Sequence, residues 1–373
     1  MQDKIYKINR ITLDEQNQEF CLSHDHGIKT FSLEDFQEKE TSDNFELKLG
    51  SIALAQLFPG YDNLVVFIGT QKNTDFPPNN LVFFDIKNKK NIFQKTFNEE
   101  ITNFKCVSNF IFIAFGKSLI IFYYDKTKNT LEQKEEHEIE KSSLFECWAD
   151  YQENKLYLAF PLKQELVIYF YTIIEWSYGN RMNIKSPVKT IQNIFYVEKL
   201  KQIFISDESA IYIYGFDIDD GKTKLCLKRG DRPGFITSVT LLNEGKFLAI
   251  NNLDRTIHIF DLDPKNNAFS FMNVVNNYFY GIQELYPKIR IKYKDILENE
   301  EGLFYKNDFS EKGAMLYSNN DDELNIVAYN GFAFKIKINF QEASYKSNLK
   351  VEYVEKKMKI ISIYNSGFEI KSE

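Results

Sequence analysis

The sequence predicts an all-β fold, a seven-bladed β-propeller, and three observations carry that prediction. Aromatic residues make up 16% of the chain, with 34 Phe and 22 Tyr against only 16 Gly and 8 Pro, a composition that favours strands over helices. A unit of apolar strand, polar turn, second strand, turn and third strand ending in an aromatic residue returns seven times along the chain, at a period of about 40 to 45 residues, as a seven-bladed propeller requires. No segment carries the long amphipathic pattern of a helical bundle. A β-sandwich with a second domain also fits short alternating strands; the period is what favours the propeller.

The first unit, residues 11–33, sets Glu19-Phe20-Cys21-Leu22 before Gly27-Ile28-Lys29-Thr30-Phe31-Ser32-Leu33. The second, 52–86, sets Leu64-Val65-Val66-Phe67-Ile68 before Leu81-Val82-Phe83-Phe84-Asp85. Further units run over 101–124, 144–171 and 188–216. The sixth, 235–261, is the cleanest, with Asn243-Glu244-Gly245 as a turn between strands and Thr256-Ile257-His258-Ile259-Phe260-Asp261 as the closing strand. The seventh covers 303–338, so the propeller spans residues 1–340, and 341–373 reads as a closing strand or a packed tail. Charged stretches at 35–44 and 126–143 read as solvated loops.

The 263–286 segment is too long for a tight turn. Its Phe271, Val274, Val275, Tyr278, Phe279, Ile282 and Leu285 recur at three- and four-residue steps, the spacing of one helical face. Such a face suits either packing onto the protein or a partner, or shallow insertion at a lipid interface. Directly after it, Lys288, Arg290, Lys292 and Lys294 alternate with other residues and share one strand face. They read as a solvated edge strand or, near an anionic membrane, as charges contributing about 1 kcal/mol each.

Composition narrows the function classes. A hydrophobic fraction of 43% supports a real core, and a net charge of -7 argues against broad attraction to nucleic acid or an anionic surface. Any anion binding must be local. The scattered Cys21, Cys106, Cys147 and Cys226 form no metal or disulfide spacing and suit a reducing, cytoplasmic compartment. Met1-Gln2-Asp3-Lys4 lacks a secretory signal, and the longest apolar run, 166–174, is far short of the roughly 20 residues of a spanning helix. Membrane contact is expected to be peripheral. The sequence has no phosphate-binding GxxxxGK[ST] loop, no HExxH and no GxSxG, so no enzyme chemistry, metal or cofactor is expected.

The best handle on function is Leu227-Lys228-Arg229-Gly230. Adjacent strand residues face opposite ways, so Lys228 and Arg229 are expected to reach into two neighbouring clefts. Downstream, Thr256 and His258 stand two apart on one face, able to add directional hydrogen bonds to a phosphate held by a guanidinium.

Together these residues resemble the PROPPIN family, phosphoinositide-binding WD-repeat propellers of autophagy and endolysosomal membranes. The family's Phe-Arg-Arg-Gly has its counterpart in Leu227-Lys228-Arg229-Gly230, and its following blade in Asn251-Asn252, Thr256 and His258. Gly50 to Asp85, with Phe76-Pro77-Pro78-Asn79, looks like the subgroup of human members three and four and the yeast homologous-with-swollen-vacuole protein. The resemblance implies binding of phosphatidylinositol 3-phosphate and 3,5-bisphosphate at two rim sites flanking blade six. Arg229, Thr256, His258 and Asn251 or Asn252 would serve one site, and Lys228 with Ser206 the other. In that second site Ser209-Ala210 stands where the family has Gly-Thr. The resemblance also implies membrane contact through Phe271, Val275, Tyr278 and Phe279, assisted by Lys288, Arg290 and Lys292, and recruitment of autophagy proteins including a lipid-transfer protein. A propeller scaffold with weakened lipid binding is the alternative that the altered second site favours.

Overall fold

The computed structural model describes residues 7–14, 18–39, 49–61, 63–140, 144–253, 256–262, 283–292, 314–318, 323–329, 332–338 and 351–359. Among these residues the strands form seven sheets. The first holds β1 (Ile8–Asp14), β2 (Glu19–His24) and β3 (Gly27–Ser32), and the second β4 (Ile52–Leu57), β5 (Leu64–Gly69), β6 (Asn80–Asp85) and β7 (Lys90–Thr96). The third holds β8 (Asn103–Val107), β9 (Phe110–Ala114), β10 (Ser118–Asp125) and β11 (Thr130–Glu138). The fourth holds β12 (Glu146–Asp150), β13 (Lys155–Leu162), β14 (Glu165–Thr172) and β15 (Ser177–Lys185).

The fifth is built on β16 (Asn193–Val197), β17 (Gln202–Ser206), β18 (Tyr212–Asp217) and β19 (Thr223–Lys228). The sixth begins with β20 (Ile236–Leu242), β21 (Phe247–Asn252) and β22 (Thr256–Asp261). The chain then adds β23 (Gln283–Leu285) to the fifth sheet and β24 (Pro287–Lys292) to the sixth. The seventh sheet holds β25 (Ala314–Tyr317), β26 (Glu323–Ala328), β27 (Phe332–Ile338) and β28 (Val351–Lys359). These sheets are the blades of the predicted seven-bladed β-propeller, and each falls on one of the seven sequence units.

Two compact units divide the chain. One comprises Met1–Asn98, Val327–Phe334 and Lys356–Glu373, the other Glu99–Ile326 and Lys335–Glu355. In the first unit, Cys21 and Ile28 from the first sheet share a core with Val65, Phe67, Val82 and Phe84 from the second. In the second unit, Phe112, Leu119 and Ile121 pack against Leu156, Leu158 and Phe160, and Phe204, Ile213 and Leu227 pack against Leu248, Ile250 and Phe260. A middle strand therefore meets apolar neighbours on both faces. That is why β5 (Leu64-Val65-Val66-Phe67-Ile68-Gly69) and β9 (Phe110-Ile111-Phe112-Ile113-Ala114) are apolar throughout and buried throughout. All four cysteines are buried and none forms a disulfide, and burial pushes the thiols of Cys21, Cys106 and Cys147 well above the usual range.

Three expectations need correction. The charged stretch at 126–143 is not simply a loop: Thr130–Glu138 is the outer strand of the third sheet, paired along β10. An outermost strand is hydrogen-bonded on one edge only and mostly exposed, so a Lys- and Glu-rich sequence is tolerated there. Likewise, most units carry a fourth strand beyond the three that apolar runs reveal. Part of the 35–44 stretch also runs back along β3, where Ser32 N donates to the Gln37 carbonyl and Lys39 N to the Thr30 carbonyl.

The third correction concerns Leu285, assigned above to a helical face. It lies in β23, which runs parallel to β19 with Leu227 opposite Leu285, and its side chain is fully buried with Ile213 and Leu227. An open strand edge and an apolar slot decide its conformation, and three-residue spacing could not reveal either. Phe271, Val274, Val275, Tyr278, Phe279, Ile282 and Lys294 lie outside the described residues. Within 341–373, β28 is a strand beside β27. Among the described residues no helix is long and apolar enough to cross a membrane.

Candidate anion-binding site

The residues singled out by sequence converge on the adjoining ends of the fifth and sixth sheets, all within the second unit. Strand β19 ends at Lys228, and the chain turns through Arg229 and Gly230 towards β20. Lys228 and Arg229 do diverge, as alternation demands: Arg229 is buried, Lys228 is half-buried, and each already has partners within the protein.

Arg229 is only 2% exposed. Its Nε donates to the Ala210 carbonyl at 3.0 Å, and its Nη2 donates to the Ser209 carbonyl at 3.3 Å and to the Arg232 carbonyl. The turn at residues 207–210 is shaped for this role. Asp207 accepts from the Ser209 hydroxyl at 2.6 Å and from Ala210 N at 2.9 Å, and this aspartate-anchored turn leaves the next carbonyls aimed at the guanidinium. The loop closes tightly over Arg229 at Gly234, where an added Cβ would stand 3.0 Å from Nη1 and Nη2. The buried cation thus ties the turn after β17 to the loop before β20.

Lys228 is held differently. Its ammonium lies 5.7 Å from the Tyr212 ring centroid, 5.9 Å from that of Tyr286 and 3.5 Å from Asp231 Oδ1. Tyr212, and then Asp231 and Tyr286, hold it above the usual lysine range. Two aromatic faces and an exposed carboxylate therefore already neighbour this charge. Ser206, its expected partner, is fully buried; its hydroxyl donates to the Asp207 carbonyl at 3.2 Å and accepts from Asn193 Nδ2 at 3.0 Å.

On the sixth sheet, Asn251 and Asn252 are both fully buried. Asn251 Nδ2 donates to Thr237 Oγ1 at 2.7 Å and to the Ala314 carbonyl at 2.9 Å, which links β21 to β20 and β25. Asn252 Nδ2 donates to the Thr256 carbonyl at 3.1 Å and meets His258 Nδ1 at 2.8 Å. The carbonyl bond fixes which end of the amide is the NH2, so His258 Nδ1 is the acceptor and the ring hydrogen of the neutral imidazole sits on Nε2. His258 is buried and its pKa is pushed down to about 3, first by burial and then by the charges of Arg229 and Arg290. It is a neutral donor with a fixed tautomer. Thr256 shares its strand face two residues away and is half-buried.

The basic strand predicted after the insertion is β24, the outer strand of the same sheet. Its register sets Thr256 opposite Lys292 and His258 opposite Arg290. Lys288 forms a 2.7 Å ion pair with the buried Asp261 carboxylate. Arg290 and Lys292 are exposed. Arg290 Nη2 reaches the Arg229 carbonyl at 3.3 Å, which brings it beside His258. Sequence reasoning placed Arg290 with membrane contacts; the alternation at Lys288, Arg290 and Lys292 was the signal, but only the register shows which partner each cation meets.

Solved structures share this architecture. Kluyveromyces lactis Hsv2, with its complete loop 6CD, superposes with a TM-score of 0.69 at 16% identity over 95% of this chain and 99% of that one. KlAtg21, solved in complex with the coiled coil of AgAtg16, gives 0.60 at 15% identity over 89% and 95%. Saccharomyces cerevisiae Sqt1 gives 0.59 at 11% identity over 93% and 85%. At these identities the likeness establishes the propeller fold. No protein-family model matches the chain.

Proposed function

We propose that this chain is a phosphoinositide effector of the PROPPIN type, which docks peripherally on membranes carrying phosphatidylinositol 3-phosphate or 3,5-bisphosphate and recruits autophagy proteins, including a lipid-transfer protein. It works from the cytoplasm on autophagic precursor or endolysosomal membranes, by binding rather than by catalysis. The observation that carries the proposal is the convergence of two arginines on His258: Arg290 stands opposite it across the β22 and β24 pairing, and Arg290 Nη2 reaches the Arg229 carbonyl at 3.3 Å. In a chain of net charge -7, two arginines bear on one buried imidazole whose Nε2 hydrogen is fixed as a donor. A local cluster of cations and a fixed imidazole donor in an acidic protein favours a compact anion over an extended polyanion. The fold shared with Atg21, whose structure includes an Atg16 coiled coil, supports the protein-partner part of the reading.

Caging of Lys228 by Tyr212, Tyr286 and Asp231 favours a second reading, a propeller scaffold that has lost one or both lipid sites. Flotation of the wild-type protein separates the two. Phosphatidylcholine vesicles carrying phosphatidylinositol 3-phosphate or 3,5-bisphosphate should carry the protein upward, and vesicles of matched charge made with phosphatidylserine should not. Equal behaviour on all vesicles, or no flotation at all, would leave the scaffold reading.

A further inference from the structure

We infer that Arg290, on the outer strand of the sixth sheet, is the cation that contacts phosphate in this site, with Lys292 beside it, and that Arg229 builds the turn beneath them. The inference rests on the phosphoinositide reading above and names the ligand-contacting residue of that site.

Accessibility comes first. Arg229 is 2% exposed and its guanidinium serves the carbonyls of Ser209, Ala210 and Arg232. Binding phosphate with it would require breaking these bonds and opening the loop. Arg290 is exposed and commits an Nη2 hydrogen to the Arg229 carbonyl at 3.3 Å. Gly230 offers no obstruction, since even an added Cβ would lie 3.8 Å from Arg290 Nη2.

Position comes second. Arg290 is the cross-strand partner of His258 in the β22 and β24 pairing, and directly opposed residues on antiparallel strands present their side chains on the same face. One pair further along the same face, Thr256 faces Lys292. A hydroxyl-bearing residue, an imidazole Nε2 donor, a guanidinium and an ammonium therefore occupy two adjacent cross-strand pairs.

Charge balance comes third. Lys288, which falls at the register break between Ile259 and Phe260, is neutralised by Asp261 at 2.7 Å, whereas no carboxylate pairs with Arg290 or Lys292 among the described residues. A solvated edge strand also carries exposed cations. It does not require that the unneutralised pair be the two set against Thr256 and His258. The fork of a guanidinium matches two phosphate oxygens at once, which an ammonium cannot do, so Arg290 is the primary contact and Lys292 the auxiliary one.

The test compares wild type, Arg290→Ala and Arg290→Lys. Probes are soluble inositol 1,3-bisphosphate, inorganic phosphate, and vesicles with phosphatidylinositol 3-phosphate or with phosphatidylserine alone. Arg290→Ala should unfold at the wild-type temperature, because the side chain is exposed, and should bind inositol 1,3-bisphosphate about tenfold or more weakly. Arg290→Lys should fall between them. Stronger loss for inositol 1,3-bisphosphate than for inorganic phosphate would identify the lipid headgroup as the source of the phosphate. Equal headgroup affinity in Arg290→Ala and wild type would overturn the assignment, and so would a loss confined to vesicles, which would make Arg290 a surface contact. A wild-type protein that binds no headgroup would overturn the assignment together with the phosphoinositide reading; binding by wild type and Arg290→Ala alike would overturn the assignment alone.

Discussion

Arg229→Ala is expected to lower the stability of the second unit by about 3 to 5 kcal/mol, because it strands the buried Ala210 carbonyl and the part-buried carbonyls of Ser209 and Arg232 that a charged donor now satisfies. The carbonyls of Ser209 and Ala210 lie in one turn and that of Arg232 in the loop beyond, so loss of the guanidinium frees both segments at once. Water entering beside the exposed residues 231–233 would rehydrate the Arg232 carbonyl and keep the effect towards the lower end of this range. Arg229→Lys should recover little, since a single ammonium cannot reproduce the planar fork that reaches three acceptors. Urea unfolding of the purified variants reads the effect, and an unchanged midpoint for Arg229→Ala would show that these bonds contribute nothing. A corollary concerns binding assays: loss of lipid binding in Arg229→Ala reports collapse of the turn under the site, so it does not identify a headgroup ligand.

The second large effect lies in the first unit. Gly69→Ala should destabilise the protein by about 3 kcal/mol or more through overpacking. An added Cβ would sit 1.7 Å from the Phe76 carbonyl oxygen and 2.9 Å from its carbon, and backbone atoms cannot step aside as a side-chain tip can. The Phe76 carbonyl is held there by its own turn. Asn73 Oδ1 accepts from Asp75 N at 3.1 Å and Phe76 N at 3.0 Å, while Asn73 Nδ2 donates to the Leu49 carbonyl at 2.7 Å. Gly60 offers a contrast, with φ +73° but nothing within 4 Å of its missing Cβ; Gly60→Ala should cost only about 1 to 2 kcal/mol of backbone strain. Thermal unfolding of the two variants distinguishes steric exclusion from conformational strain, and a Gly69→Ala protein as stable as Gly60→Ala would contradict the close approach.

Much of the fold was legible because middle strands are buried on both faces. Val65, Phe67, Ile111, Ile203 and Ile205 write that burial into the sequence as apolar runs at a regular period. Outer strands carry no such record: Thr130–Glu138 is polar because only one of its edges is paired. Strand β23 escaped for another reason, since its partner β19 lies more than fifty residues earlier and Leu285 happens to fall in step with a helical pattern.

The site divides in the same way. Thr256 and His258 could be found by alternation along one strand, and the structure sets them on the same face with Asn252 orienting the imidazole. The roles of Lys228 and Arg229 depend on what surrounds them. Tyr212, Tyr286 and Asp231 enclose the first, and carbonyls of residues 209, 210 and 232 take up the second. A paired cation in sequence reads as two ligands, and the folded loop after it, with Tyr212, Tyr286 and the turn at 209–210, reveals that both charges already have partners. In the same way, Lys288 and Arg290 look equivalent until Asp261 is found beside the former.

Calorimetric titration of the wild-type protein with inositol 1,3-bisphosphate tests the central claim most directly, because it counts sites without a membrane. A single site formed by Thr256, His258 and Arg290 predicts one headgroup per chain. Two headgroups per chain would show that the Lys228 side is open after all, and an absence of binding would contradict the phosphoinositide site itself.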